Sequence, residues 1–160
     1  MIEIITADPS NPIHAQAIVQ LMDEYARDPM GGGQPLSETV KKNLPLELSR
    51  RSNAYCILAL ADGKDPAGLI NCFEGFSTFA CRPLLNIHDV IVSSTYRGQG
   101  LSKRLLQEAE KIARQLNCCK LTLEVLQGNT IAQRAYRSMG FSGYQLNPEM
   151  GHALFWEKKL

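Results

Sequence analysis

Long apolar runs are missing from this chain of 160 residues. None approaches the roughly 18 residues that a membrane helix needs, so no membrane partner is expected. The opening Met1-Ile2-Glu3-Ile4-Ile5-Thr6-Ala7-Asp8 has no basic cluster and no extended apolar segment. It is therefore not expected to act as a secretory signal. A dominant charge is missing too. The net charge is +1, which gives no global field toward nucleic acid or a membrane surface. The five cysteines, Cys56, Cys72, Cys81, Cys118 and Cys119, form no Cys-x-x-Cys. Reduced, mostly buried thiols in a cytoplasmic protein are expected, not a disulfide framework. His14, His88 and His152 are scattered, without the spacing of metal ligands, and no metal is expected. There is no repeat and no low-complexity segment.

What is present suits one domain over 1–160 with a proper core. Hydrophobic residues make up 44% of the chain and charged ones 21%, ordinary values for a globular protein. Residues 2–6 read as a strand. Ala17, Ile18, Leu21, Met22 and Tyr25 recur at helical spacing and predict a helix over 13–27. Asp28-Pro29-Met30-Gly31-Gly32-Gly33 breaks it, as a passive linker or as a mobile loop beside a substrate. Ser37 can cap a second helix, which Pro45 is expected to interrupt or kink. Strands are predicted over 54–61 and 67–78, with a turn at Asp62-Gly63-Lys64-Asp65-Pro66. Later come a helix over 99–117, a strand over 118–126 and a helix over 130–139. Two closing strands are expected over 141–146 and 153–158. This order, with early hairpins and a strand–helix–strand crossover, is that of a mixed α/β sheet flanked by helices.

The stretch from Asn86 to Leu106 carries the chemistry. Ile87, Val90, Ile91 and Val92 suit a buried strand. Gly98 and Gly100 then remove side chains where the next helix opens. The first N–H groups of a helix have no partner within it, and the dipole puts partial positive charge there. From Arg97 to Gln107 there is no acidic residue, whereas Arg97, Lys103 and Arg104 are basic. That is an anion site, most naturally for phosphate. No Walker loop is present. Lys103 stands where a dinucleotide fingerprint needs its third glycine. This counts against a nucleotide-binding domain that would use Glu124 on a ribose.

Arg97-Gly98-Gln99-Gly100-Leu101-Ser102 resembles the Arg/Gln-x-x-Gly-x-Gly/Ala pyrophosphate loop of the GNAT (GCN5-related N-acetyltransferase) family, with Ser102 departing from the final Gly/Ala. Downstream, Asn129 leads into Thr130-Ile131-Ala132-Gln133-Arg134-Ala135-Tyr136 and ends at Gly140-Phe141. This run resembles the family's second motif. Leu84 to Val92, with the Tyr-Arg-Gly-x-Gly after it, is laid out as in polyamine and diamine acetyltransferases. The resemblance implies an α/β (α+β) fold with a mixed, mostly antiparallel sheet of about six to seven strands and roughly four flanking helices. It implies an enzyme moving acetyl from acetyl-CoA directly to a primary amine of a small molecule. The alternatives are a peptide or protein amine as acceptor, or a non-catalytic acyl-CoA sensor. The oligomeric state stays open, a homodimer included.

By the same resemblance, backbone groups of Val90, Ile91 and Val92 bind the pantetheine. An N–H of Ile91 or Val92 polarises the thioester carbonyl. Main-chain donors of Gly98, Gln99, Gly100, Leu101, Ser102 and Lys103, beside Arg97, hold the diphosphate. Asn129 bonds the pantetheine or its neighbourhood, and Tyr136 takes the general-acid position. Strand alternation places Asn86, His88 and Val90 on one face and Ile87, Asp89 and Ile91 on the other. His88 is the candidate base, because histidine as a residue type can gain and lose a proton near neutral pH. Asn86 acting through water and Glu124 are alternatives, and a hydrogen-bonded core role for His88 competes with all three. Asp89 is expected to fix structure. Asp23, Glu24, Tyr25, Met30, Glu74 and His152 are further candidates for the acceptor pocket.

Overall fold

The chain as far as Leu123 builds a sheet with strand order β1-β2-β3-β4-β5. The computed structural model describes all residues, Met1–Leu160. They form two compact units, Met1–Leu126 and Gln127–Leu160. In the first, β1 (Ile2–Thr6), β2 (Ala54–Ala61), β3 (Asp65–Ser77) and β4 (Arg82–Val92) pair antiparallel, and β5 (Leu121–Leu123) joins β4 in parallel. Its helices are α1 (Pro12–Arg27), α2 (Glu38–Ser49) and α3 (Leu101–Gln115). No helix is long and apolar enough to cross a membrane.

One sheet face packs on α1 and α2. Cys56, Leu58 and Leu60 of β2, Leu69 of β3 and Ile91 of β4 meet Ala17, Ile18 and Leu21 of α1 and Leu48 of α2. The other face receives α3, whose Leu101, Leu105, Leu106, Ala109, Ile112 and Ala113 are buried along one stripe. Gly68 lets α3 approach β3. A Cβ there would stand 2.8 Å from Leu105 Cδ1 and 3.0 Å from the Ile91 carbonyl oxygen.

Local signals act as sequence chemistry dictates. Asn11 caps α1 by accepting from the Ile13 N–H at 2.9 Å, and Pro12 fills the first helical position, where no donor is required. Ser37 caps α2. Pro45 does not interrupt α2, which runs from Glu38 to Ser49. The triple glycine has a defined local structure. It ends a tight turn in which Asp28 Oδ1 accepts from the Met30 N–H and the Asp28 carbonyl accepts from Gly31 and Gly33. A Cβ on Gly31 would lie 2.0 Å from the Tyr25 carbonyl oxygen.

The second unit holds α4 (Thr130–Ser138) and a short turn at Pro148–Met150, with no strand. The sheet therefore has five strands, fewer than the expected six to seven. Apolar alternation at 141–146 and 153–158 predicts a tendency to extend, but a strand also needs a ladder. The Ala153 N–H donates to the Tyr144 carbonyl at 3.1 Å between these segments, but neither is a strand. The strand expected over 118–126 also shrinks to Leu121–Leu123, because its pairing with β4 ends at Ile87.

Candidate functional site

The end of that pairing is the main feature of the site. Cys72 opposes Ile87 and Asn71 opposes Asp89, so His88 is an extra residue in β4. A bulge of this kind bends the strand and ends regular pairing. β5 follows β4 through Leu85, Asn86 and Ile87 and stops, while β4 continues to Val92. Ser93 donates its N–H to the Ala67 carbonyl. Alternation back along β4 turns Asp89 and Ile91 toward β3, and Val90 and Val92 toward the vacated edge. That edge offers main-chain donors and acceptors beyond the reach of β5.

The bulge also corrects the predicted faces. Asn86 opposes Phe73, Asp89 opposes Asn71 and Ile91 opposes Leu69, so these three β4 residues share the α1 face. Ile87 and Val90 lie on the α3 face. Simple alternation fails because one inserted residue exchanges the sides of all that follow. His88 is exposed and stacks edge-on against Phe73, ring centroids 5.5 Å apart. It makes no side-chain hydrogen bond, so it is not a satisfied core histidine.

Just past β4, a short turn at Ser94–Tyr96 leads to Gly98 and Gly100, with φ of 77° and 71°. Both adopt the left-handed conformation that glycine tolerates at little cost. Gly100 is the N-cap of α3, and no side chain caps that end. A Cβ on either glycine meets nothing within 4 Å. The space before Leu101, Ser102 and Lys103 is therefore open, and their N–H groups are available to an anion. Gln99 and Lys103 are exposed beside it.

Arg97 is held at the rim. Its Nε donates to the Val92 carbonyl at 3.2 Å, and its Nη2 pairs with Asp28 at 3.3 Å. The Met30 N–H and Arg97 hold the Asp28 carboxyl below its usual range. Glu24 of α1 accepts from the Ser94 N–H at 2.8 Å. Of the acceptor-pocket candidates, Asp23 is bound into the α1–α2 connection, accepting from Arg27 and from the Leu36 N–H. Glu74 accepts from the Tyr55 hydroxyl. Met30 is partly exposed. Tyr25 is half-buried, and burial, then Asp89 and Asp28, push its phenol up.

Sequence reasoning passed over Asn71. Its side-chain amide donates to Asp89 Oδ2 at 3.0 Å and approaches Met22 Sδ at 3.4 Å. A lone amide within the apolar run Leu69-Ile70-Asn71-Cys72 was the available signal.

In the second unit, Asn129 caps α4 as its place in the sequence predicts, accepting from the Ala132 N–H at 3.1 Å. Tyr136 lies on α4 with its ring centroid 6.0 Å from that of Phe141. His152 stands after the turn at Pro148–Met150. Glu124 is exposed just past β5 in the first unit. No group of three or more His, Cys, Asp or Glu side chains converges to hold a metal ion.

The chain is similar to known proteins. The family model of the Acetyltransferase (GNAT) family matches residues 18–141. Over 82 residues the chain is 39% identical to streptothricin acetyltransferase of Streptomyces lavendulae, covering 51% of this chain and 41% of that protein. Over 68 residues it is 31% identical to thialysine N-epsilon-acetyltransferase of Bos taurus, covering 42% and 39%. The chain thus spans about two-fifths of the length of the curated relatives it matches. A crystal structure of a "probable acetyltransferase" shares the fold with a TM-score of 0.80 at 24% identity, covering 98% of this chain and 99% of that one.

Proposed function

The chain belongs to the GNAT acetyltransferase family, and from that premise we propose that it transfers acetyl from acetyl-CoA directly to a primary amine of a small molecule, such as a polyamine or diamino acid. The observation that carries this reading is the edge of β4 left free beyond Ile87, running toward the uncapped, glycine-lined start of α3. A pantetheine arm needs strand-like donors and acceptors, and Val90 and Val92 present them at that edge. A diphosphate needs converging N–H groups, which Leu101, Ser102 and Lys103 supply under Gly98 and Gly100. Between the two donors implied for the thioester carbonyl, Val92 is the better placed, because the Ile91 N–H turns toward β3.

The reaction needs the amine neutral and the departing thiolate protonated. A lysine-like amine has a pKa of about 10.4, so a base must take its proton near neutral pH. His88, exposed and free of hydrogen bonds on the bulge, fits that role better than Glu124 or Asn86. The amide of Asn86 is engaged as a donor to Thr122 Oγ1 at 2.9 Å. Tyr136 takes the acid role by its place in the second motif, and Asn129 bonds the pantetheine or its surroundings. The curated relatives are named for streptothricin and thialysine, which supports a small-molecule substrate. Thiol release from acetyl-CoA, followed over polyamines, diamino acids, aminoglycosides and peptides, tests the proposal. Turnover with a small amine is expected. Tight CoA binding with no turnover on any amine would make the protein a sensor instead.

A further inference from the structure

Asn71 is 3% exposed, and its Oδ1 is the one buried side-chain polar atom with no hydrogen-bond partner. A native interior rarely leaves such an acceptor unmet without a ligand or an ordered water to supply the donor. Its amide nitrogen lies against Met22 of α1 and against Asp89. Asp89 is itself half-buried, accepts this one hydrogen bond, and takes part in no ion pair. A half-buried carboxylate without a cation is costly, and this one sits on the α1 face rather than in bulk water. Tyr25 of α1 is close enough to feel its charge. Phe73, on the same face as Asn71, and His88 stand edge to face next along the sheet.

We propose that Asp89 and Asn71 form the binding point for a protonated amino group of the acceptor, the one that does not react. The ammonium bonds the Asp89 carboxylate, and it or a water that it orders donates to Asn71 Oδ1. The reacting nitrogen has to lose its proton, and a carboxylate beside it would oppose that loss. An ammonium held permanently is the role that suits Asp89. The acceptor is then a compound with at least two amino groups. Asp89 is a specificity-determining residue that does no chemistry of its own. The inference rests on the acetyltransferase reading for its place in a reaction, but binding can be measured apart from turnover.

Calorimetry compares 1,4-diaminobutane with butylamine on the full chain, wild type and Asp89→Asn. The wild type is expected to bind the diamine at least about tenfold more tightly than the monoamine. Asp89→Asn keeps the bond from Asn71 and is expected to erase that preference. Asp89→Ser, a smaller side chain, provides a second variant with the same expected loss. In turnover, the loss is expected in KM for the diamine, with kcat little changed. Equal binding of the two amines by the wild type, or an unchanged preference in either folded variant, would overturn the inference. Acetyl-CoA binding and monoamine turnover surviving beside that result would leave the acetyltransferase reading intact. Diamine binding through Asp89 without any acetyl-CoA binding would keep the binding point and remove the reaction.

Discussion

Replacing Gly100 by alanine separates the shape of the α3 entrance from its purpose. Gly100 has φ of 71° and ψ of 13°. An L-residue in that conformation costs about 1–2 kcal/mol. A Cβ there meets nothing within 4 Å, so no steric clash adds to the strain. For a chain of this size, each kcal/mol lowers Tm by about 2–4 °C, which gives a fall of roughly 2–8 °C. The strain is common to free and bound protein and cancels from the dissociation constant. The new methyl group, however, stands in the space before the Leu101, Ser102 and Lys103 N–H groups. Losing one charge-assisted hydrogen bond there costs about 1.5–3 kcal/mol, so the Kd for CoA should rise at least about tenfold. Gly63, with φ of 77° and equally open surroundings in the β2–β3 turn, is the control. Gly63→Ala should lower Tm by a similar amount and leave CoA binding unchanged. Scanning calorimetry gives the first quantity and titration calorimetry the second. A Gly100→Ala protein with lowered Tm and wild-type affinity would refute the placement of the diphosphate.

Tyr136→Phe should slow turnover at least about tenfold with CoA affinity nearly intact, as expected for loss of a proton donor. Steady-state kinetics with calorimetry check this, and an unchanged rate removes Tyr136 from that role. Gly31→Ala drives a Cβ onto the Tyr25 carbonyl, 2.0 Å away. It should cost about 1–3 kcal/mol in denaturant unfolding. Burial pushes the Cys56 thiol up to about 11 and the Cys72 thiol to about 12, whereas Cys81 is exposed. Brief alkylation of the native protein at mildly basic pH, read by mass spectrometry, should label Cys81 and spare Cys56 and Cys72. The hydrogen bond from Arg27 holds the Asp23 carboxyl below its ordinary value. Its folded pKa is the lower one, so its stabilisation is present above about pH 4 and lost as pH falls through the folded value. Asp23→Asn should flatten the acid side of a Tm-against-pH curve.

Much of the first unit was legible because local patterns and tertiary environment agree there. The bounds of β1 and β2 are those that β-branched and apolar residues predict. α1 starts where Asn11-Pro12 demands, and α3 is two residues shorter at each end than expected, because Gly100 caps it in the left-handed conformation and Leu116 closes it. The glycine turn after Arg97 was also legible, since open space at a helix start needs residues without side chains. What failed depends on partners distant in sequence. Nothing local to His88 marks it as an inserted residue, which becomes visible only in register against β3. Apolar alternation is present at 141–146 and 153–158, yet neither segment forms a strand. Asn71 was overlooked because an amide inside an apolar strand announces a partner without naming it. The triple glycine could not be resolved from composition, since each glycine answers a different demand: contact with Tyr25 for Gly31, and positive φ for Gly32 and Gly33.

The single inserted residue at position 88 has a bearing on engineering. Matching positions counted back from Arg97 keeps its faces as far as Asp89, but reaches past position 88 only where both chains carry the insertion. Where one lacks it, each side chain transplanted from before position 88 arrives on the wrong side of the sheet. Deleting that residue would restore plain alternation, leaving Asp89 opposite Asn71 on the α1 face and removing the exposed imidazole. A one-codon deletion would thus take away the histidine and straighten the strand without turning its remaining side chains over.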